Sequence, residues 1–314
     1  MRCPTLSNLP QPPPGKIGWP WTEECPQLPD LRPDGTPWPR ISIVTPSYNQ
    51  GQYIEETIRS ILLQGYPDLE YIIMDGGSKD ATTVILNKYS KFLKYWESSS
   101  DEGQADAINK GISHATGEVF NFINSDDLVA RNGLALVGTL FEPNVVLATG
   151  IEKFSECGKS IIIFNENIHL KSLLGLESEK PAIWHGLGIW FPLKEIHQTG
   201  KFDASLHYFF DYDILIRRIL MLGNDINHVN IVTTCFRDNQ DSKSANHPIK
   251  FREEHVKIIQ KIIINRLLRD QNKYLQSEIA RMKREIFDMK KGQLIFIFKN
   301  HIKKIMIKFR ILDI

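Results

Sequence analysis

Cysteine is scarce in this chain of 314 residues: Cys3, Cys25, Cys157 and Cys235 stand far apart, with no CxxC pair. That spacing argues against a zinc site or a disulfide framework and suits a reducing compartment. A dominant charge is missing too. Thirty-eight Lys and Arg face 37 Asp and Glu, a net charge of +1, so nothing global points to nucleic acid as a partner. Long apolar runs are also absent, and none approaches the roughly 18 residues that would span a bilayer. The first residues are rich in proline and hold no apolar signal-peptide core, so the expected location is the cytoplasm. The composition is that of an ordinary globular protein, with room for one large α/β domain with appendages or two modest domains.

Proline is unevenly spread, and eleven of the 17 fall in residues 1–40. Such a segment forms neither helix nor central strand and reads as an extended arm. Its Trp19, Trp21 and Trp38 are too apolar for a free linker, so the arm is expected to pack on the main domain; a disordered tail is the alternative.

From Ile41 the texture changes. "ISIVTPSYN" is a short β-branched run ended by a turn, a buried strand. "GQYIEETIRSILLQ" carries Ile54, Ile58, Ile61 and Leu62 at helical spacing. "LEYIIMDGGSKD" is a second strand broken by Gly-Gly, followed by a weaker helical stretch. "KYWES" reads as a third strand, "GQADAINKGISHA" as a helix with Ala105, Ile108 and Ile112 on one face, and "EVFNFINSDD" as a fourth strand. Alternating strands and helices mean βαβ units and a mainly parallel sheet, so the fold class is α/β.

In open α/β sheets ligands bind beyond the carboxyl ends of the strands. "TPSYN" (Thr45 to Asn49), "DGGSKD" (Asp75 to Asp80) and "NSDD" (Asn124 to Asp127) each follow a strand, so three polar strand ends converge on one rim. Adjacent carboxylates repel unless a cation, a donor or open water lies between them. "NSDD" is therefore either a solvated turn or the holder of something positive, and its hard oxygens suit Mg²⁺ or Mn²⁺. The glycines of "DGGS" allow close backbone approach, and Asp75 can accept a hydrogen bond from a base or sugar; a plain βα turn is the other reading.

In this order, "ISIVTPSYNQGQYIEETIRSIL", "EYIIMDGGSKD", "DEGQADAINKGISHATGE" and "NFINSDD" resemble the nucleotide-sugar half of family 2 glycosyltransferases. The likeness runs from about Ile41 to Asp127 and more loosely to about Ser244. It implies the GT-A fold, a Rossmann-like, mainly parallel sheet flanked by helices, with the Pro-rich arm before it and a helical tail after it. Residues 41–130 would bind the donor, 131–248 the acceptor, and 249–314 would form the tail. By the resemblance, Thr45, Pro46 and Tyr48 lie against the nucleotide, and Asp75 reads the nucleobase, usually uracil. Asp101, Gln104 and Asn109 would line the sugar-diphosphate cleft. "NSDD" stands where the family has its DxD motif, with Asp126 as the metal carboxylate and Asp127 as the alternate. The first position is Asn124, which contributes no charge.

"GKFDASLHYFFDYDILIRR" resembles the family's acceptor-side segment, whose catalytic base falls at Asp211; read from the residues alone, Asp211 and Asp213 open a helix and either is also a natural cap. "FRDNQDSKS" matches a later element in which relatives often carry a metal-serving histidine. Asn239 stands at that position here, with His247 as a substitute. In "KPAIWHGLGIWF", His185 and Trp184 fall in the acceptor channel by family position, or are core residues.

The resemblance implies transfer of a sugar from a nucleotide-diphosphate donor, most simply a UDP-sugar, to a hydroxyl of a saccharide or lipid-linked saccharide. Inversion and a role in bacterial cell-surface polysaccharide assembly are implied in the same way. Two other classes compete. A sugar nucleotidyltransferase would want basic residues in the first strand's loop, and "TPSYNQGQY" has none. A non-catalytic module that binds a nucleotide sugar or a partner protein draws support from Asn124 and Asn239, against Asp126 and Asp211.

After about Lys250, Leu275, Ile279, Met282, Ile286 and Met289 step in heptads, so 268–289 is either a dimer seam or a helix packed on its own domain. Residues 294–312 mix apolar side chains with Lys299, Lys303, Lys304, Lys308 and Arg310. That pattern suits an anionic membrane surface or a covering helix with solvated lysines.

Overall fold

The computed structural model describes residues 1–155, 158–174, 182–239 and 248–268. His247, the heptad run from Leu275 and the basic segment 294–312 lie outside these residues, as does Cys157. Two compact units emerge, one from Met1–Glu166 with Ile183–Asn246 and the other from Asn167–Ala182 with His247–Ile314.

The first unit is built on a sheet whose opening strands alternate with helices in the order read from the sequence. They are β1 (Ile41–Ser47), α1 (Ile54–Leu62), β2 (Leu69–Asp75), α2 (Thr82–Tyr89), β3 (Tyr95–Ser98), α3 (Gln104–Ile112) and β4 (Val119–Phe122). Next come β5 (Leu128–Val129), α4 (Gly133–Leu140), β6 (Val146–Ser155) and β7 (Ser160–Ile163). After α5 (Leu170–Leu173), in the second unit, follow β8 (Ile189–Pro192), α6 (Leu193–Thr199), α7 (Phe210–Leu222) and β9 (Ile226–Asp238). The last described helix, α8 (Pro248–Leu268), belongs to the second unit.

The strand order is β3-β2-β1-β4-β8-β6-β9-β5, with β7 paired to β6. β3, β2, β1 and β4 run parallel, whereas β8 pairs antiparallel with both β4 and β6. Beyond them β6 and β9 are parallel again. All seven residues of β1 and of β2 are buried, as expected of parallel strands covered on both faces. Because β2 and β4 flank β1 on opposite sides, the strand order reverses at β1, and the crevice at its carboxyl end is the expected ligand site.

The proline-rich arm packs on this unit. Cys3, Leu9 and Trp38 are part of the main core, alongside Ile41, Ile58 and Tyr66. A proline-rich segment donates few backbone N–H groups, and its carbonyls need donors from elsewhere. Arg59 of α1 provides them: its fully buried guanidinium donates to the carbonyls of Pro10, Pro20 and Trp21 at 2.9, 3.0 and 2.7 Å, and to the Tyr89 hydroxyl at 3.1 Å. Each acceptor orphaned by loss of that side chain would cost on the order of 1–3 kcal/mol. In the same unit, Arg218 of α7 pairs with Glu195 of α6 at 2.9 Å, both buried.

Candidate active site

The three polar strand ends do form one rim. Asp75 closes β2 only 3% exposed, and both of its carboxylate oxygens are engaged. The Ser78 hydroxyl donates to Oδ1, while the Ser78 N–H and the Ser98 hydroxyl donate to Oδ2 at 2.9 and 2.6 Å. Ser98 is the parallel-register partner of Asp75 on β3, so the sheet itself supplies this donor. The same Ser78 accepts from the Asn49 N–H at 2.7 Å, and Asn49 Oδ1 accepts from the Lys79 N–H at 2.9 Å. These bonds lock the loop after β1 to the loop after β2. On that locked loop Thr45 and Pro46 are buried, and Thr45 Oγ1 is spent on the Tyr71 hydroxyl at 3.1 Å. Tyr48, by contrast, is 62% exposed and offers a free aromatic face at the rim. Ser47 Oγ and Gln50 Oε1, on either side of it, are buried without a partner among the described residues.

Gly76 and Gly77 explain themselves here. Gly77 has φ +82°, and a Cβ on Gly76 would come within 2.8 Å of Asp101 Oδ2. The Asp101 carboxylate thus lies against the backbone that follows Asp75, and burial raises its pKa above the ordinary range despite a hydrogen bond from the Gly103 N–H. Asn109 spends its amide on the protein, donating to the Phe202 carbonyl at 2.8 Å and accepting from the Phe202 N–H at 3.0 Å. In this arrangement it ties α3 to the segment before α7.

At the end of β4 the chain of contacts runs through "NSDD". Gln104 Nε2 donates to Asn124 Oδ1 at 2.6 Å, and Asn124 Nδ2 donates to Asp127 Oδ2 at 2.8 Å. Asp127 Oδ1 accepts the Arg237 backbone N–H at 2.9 Å. Asp127 is 1% exposed, and burial, then the neighbouring Asp126 charge, push its pKa well above the ordinary carboxylate range. Asp126 is half-buried, and its Oδ2 accepts from Asn239 Nδ2 at 3.0 Å. The neighbouring aspartates therefore differ in role: Asp127 is built into the turn, and Asp126 faces the end of β9.

Whether the site fits a divalent cation can be judged from its donors. The Asn239 amide oxygen is buried and has no partner among the described residues, so an unused hard donor lies beside the Asp126 carboxylate. Among the described residues no three His, Cys, Asp or Glu side chains form a cluster of their own. One carboxylate with auxiliary oxygens is the usual protein share of a Mg²⁺ or Mn²⁺ site completed by phosphates. The residues fit that group.

Asp211 lies in the first turn of α7, where its Oδ1 accepts the Tyr212 N–H at 2.9 Å. A Cβ on Gly186 would overlap Asp211 Oδ2, so only glycine lets this carboxylate rest on the backbone there. Asp213 is a structural group, buried and paired with Arg217 at 2.7 Å. Phe122, just before "NSDD", and Phe210, just before Asp211, pack with ring centroids 5.6 Å apart, and Phe202 joins both. The two carboxylate-bearing segments thus leave one aromatic cluster. His185 packs at a tilt against Phe236 with centroids 4.7 Å apart; its Nδ1 is buried without a partner among the described residues, and burial, then Lys153, lower its pKa to about 4. Trp184 packs on Tyr212, one residue beyond Asp211.

Sequence reasoning missed Arg237 and Ser98. Arg237 stands inside the quoted "FRDNQDSKS" with no role given to it. Ser98 would have followed from aligning β2 and β3 in parallel register, which sets it beside Asp75.

The chain is similar to several known proteins. Residues 42–170 match the model of the family described as Glycosyl transferase family 2. An uncharacterized glycosyltransferase of Rickettsia bellii is 27% identical over 219 residues, covering 66% of this chain and 31% of that protein. The putative teichuronic acid biosynthesis glycosyltransferase TuaG of Bacillus subtilis is 43% identical over 98 residues, covering 29% of this chain and 38% of its own. The chain therefore spans about a third of the length of these curated relatives. Among solved structures, S. aureus TarS 1-349 in complex with UDP-GlcNAc has a TM-score of 0.57 at 18% identity, covering 81% of this chain and 74% of that one. The mannosyltransferase PcManGT from Pyrobaculum calidifontis, in complex with GDP-Man and Mn²⁺, has a TM-score of 0.53 at 20% identity, covering 88% and 72%. The fold is the GT-A fold of these structures, and within this chain residues 42–170 carry the likeness to glycosyl transferase family 2.

Proposed function

We propose that the protein is a metal-dependent glycosyltransferase that moves a sugar from a UDP-sugar to a hydroxyl of a saccharide or lipid-linked saccharide acceptor, with inversion at the anomeric carbon. One observation carries this reading. The turn after β4 fixes Asp127 inward and leaves Asp126 beside the unsatisfied Asn239 amide, at the strand-order reversal where an α/β sheet takes its ligand. The TarS complex with UDP-GlcNAc and the PcManGT complex with Mn²⁺ support the donor class and the cation, and the name of TuaG supports a role in cell-surface polysaccharide assembly.

In this reading Asp126 and Asn239 hold the cation, and Tyr48 covers the base that the Asp75 loop accommodates. Once bound, the divalent ion acts as a Lewis acid on the leaving diphosphate. Asp211 receives the acceptor hydroxyl's proton as its oxygen bonds to the anomeric carbon. The bond from that carbon to the phosphate oxygen breaks, and its electron pair leaves with the nucleoside diphosphate. Among the described residues no helix is long and apolar enough to cross a membrane. A cytoplasmic location, surface attachment through 294–312 and dimerisation through 268–289 belong to the same proposal.

Incubation with UDP-, GDP- and dTDP-sugars, following release of the nucleoside diphosphate, tests the proposal. Metal-dependent turnover of one UDP-sugar is expected, even if only as slow hydrolysis. Binding of a nucleotide sugar without turnover would favour a non-catalytic module.

A further inference from the structure

We infer that Asn109 is the positioning residue of Asp211: through Phe202 it fixes helix α3 of the donor half to the segment that carries the base, and so sets where that carboxylate stands. The inference rests on the reading of Asp211 as the base, and it replaces the place in the sugar-diphosphate cleft that the family resemblance implies for Asn109.

Asn109 gives both ends of its amide to one residue. Its Nδ2 donates to the Phe202 carbonyl at 2.8 Å and its Oδ1 accepts from the Phe202 N–H at 3.0 Å. A side-chain amide thereby plays the part of a neighbouring strand, and two such bonds fix the register of the segment as apolar packing alone does not. The partner is 93 residues away in sequence, so the link joins parts of the chain that nothing local holds together.

From Phe202 the contacts lead to the reacting groups. Its ring meets Phe122, just before the aspartate turn, with centroids 5.7 Å apart and planes nearly perpendicular. It meets Phe210, the first residue of α7 and the neighbour of Asp211, at 5.8 Å. All three rings are buried, and rings packed this closely do not shift independently.

The same stretch is held from the other side by α7. Gly200 and Lys201 lie in the left-handed region, with φ +90° and +60°, and for lysine that setting persists only where the surroundings hold it. Arg217 of α7 does so, donating to the carbonyls of Thr199 and Lys201, the latter at 2.6 Å, while Asp213 pairs with its Nε. Toward the other end of the stretch, a Cβ on Gly103 would lie 3.4 Å from His207 Nδ1, so the segment also rests on the start of α3. Without Asn109 the segment keeps its bonds to α7 and loses those to α3. A base displaced by about 1 Å from its target proton can cost a hundredfold in rate.

Amide hydrogen exchange of the free protein reads the placement without turnover. In Asn109→Ala, exchange over residues 202–213 should rise about tenfold or more relative to β1 and β2. Calorimetry should give wild-type affinity for UDP with Mn²⁺. In hydrolysis of the UDP-sugar that the wild type accepts, kcat should fall by about 10–100-fold. Asn109→Asp keeps the shape and an acceptor for the Phe202 N–H but sets a carboxylate against the Phe202 carbonyl, and it guards against loss of fold in the alanine variant. It should also lower kcat with UDP affinity unchanged. In an Asp211→Asn background neither substitution should lower kcat further, because both act through the same carboxylate. A matching loss of UDP affinity would return Asn109 to the cleft and overturn the inference, and so would variants that keep wild-type kcat while Asp211→Asn loses it. If Asp211→Asn itself keeps wild-type kcat, or the wild type turns over no UDP-sugar, the reading of Asp211 falls and the inference with it.

Discussion

Arg237 holds Asp126 and Asp127 at once: its backbone N–H donates to Asp127 Oδ1 and its Nε to the Asp126 carbonyl, each at 2.9 Å. Its Nη2 continues to Glu56 in the first turn of α1 at 3.0 Å. The guanidinium lies between Tyr53 and Phe154, 4.9 and 4.7 Å from their ring centroids. One residue of β9 thus joins the aspartate turn to α1, through its backbone and its buried side chain.

Lysine keeps the charge of arginine but not its planar fork, so it cannot serve the Asp126 carbonyl and Glu56 together. Arg237→Lys is expected to fold and to bind UDP with metal about tenfold more weakly, a loss of about 1.4 kcal/mol. Calorimetry checks this. Wild-type affinity in the variant would show that the turn keeps its shape without the fork.

Asp211 has a different signature. As a base it contributes to transfer and not to donor binding, so Asp211→Asn should lower kcat by roughly 10²–10⁴ and leave UDP affinity unchanged. Equal losses of stability and of UDP binding, with kcat preserved, would reduce it to the helix cap that its bond with the Tyr212 N–H also resembles.

Acid stability depends in part on Glu70, on the strand end away from the site. Burial alone would push this carboxyl up, but hydrogen bonds from Thr116, Ser42 and Lys94 hold it at about 2, against an ordinary 4.5. A depressed carboxylate stabilises the fold above its unfolded pKa, and that contribution is lost as pH falls from about 4.5 toward 2. Thermal unfolding of wild type across that window should show a falling midpoint, and Glu70→Gln should flatten the fall. Identical slopes would remove Glu70 from the account.

Much of the first half of the fold was legible because its signals are local. β1, α1, β2, α3 and β4 each carry their own periodicity, and the polar ends Thr45, Asp75 and Asn124 follow from where those runs stop. The packing of the arm was legible from its tryptophans, but not its anchor, since a buried arginine at position 59 looks like any polar residue on a helix. The division of labour at the aspartate turn was also out of reach. Which of two adjacent aspartates turns inward depends on Arg237 and Asn239, more than a hundred residues away in sequence. For the same reason nothing local told that Asn109 would spend its amide on Phe202.

The central claim is that Asp126 holds a cation against a nucleoside diphosphate. Titration of the purified protein with UDP by calorimetry, with and without Mn²⁺, for wild type and for Asp126→Ala, tests it most directly. The account predicts tight binding of UDP by the wild type that requires the metal and disappears in the variant. Metal-independent binding of equal strength in both proteins, or no binding in either, would contradict it.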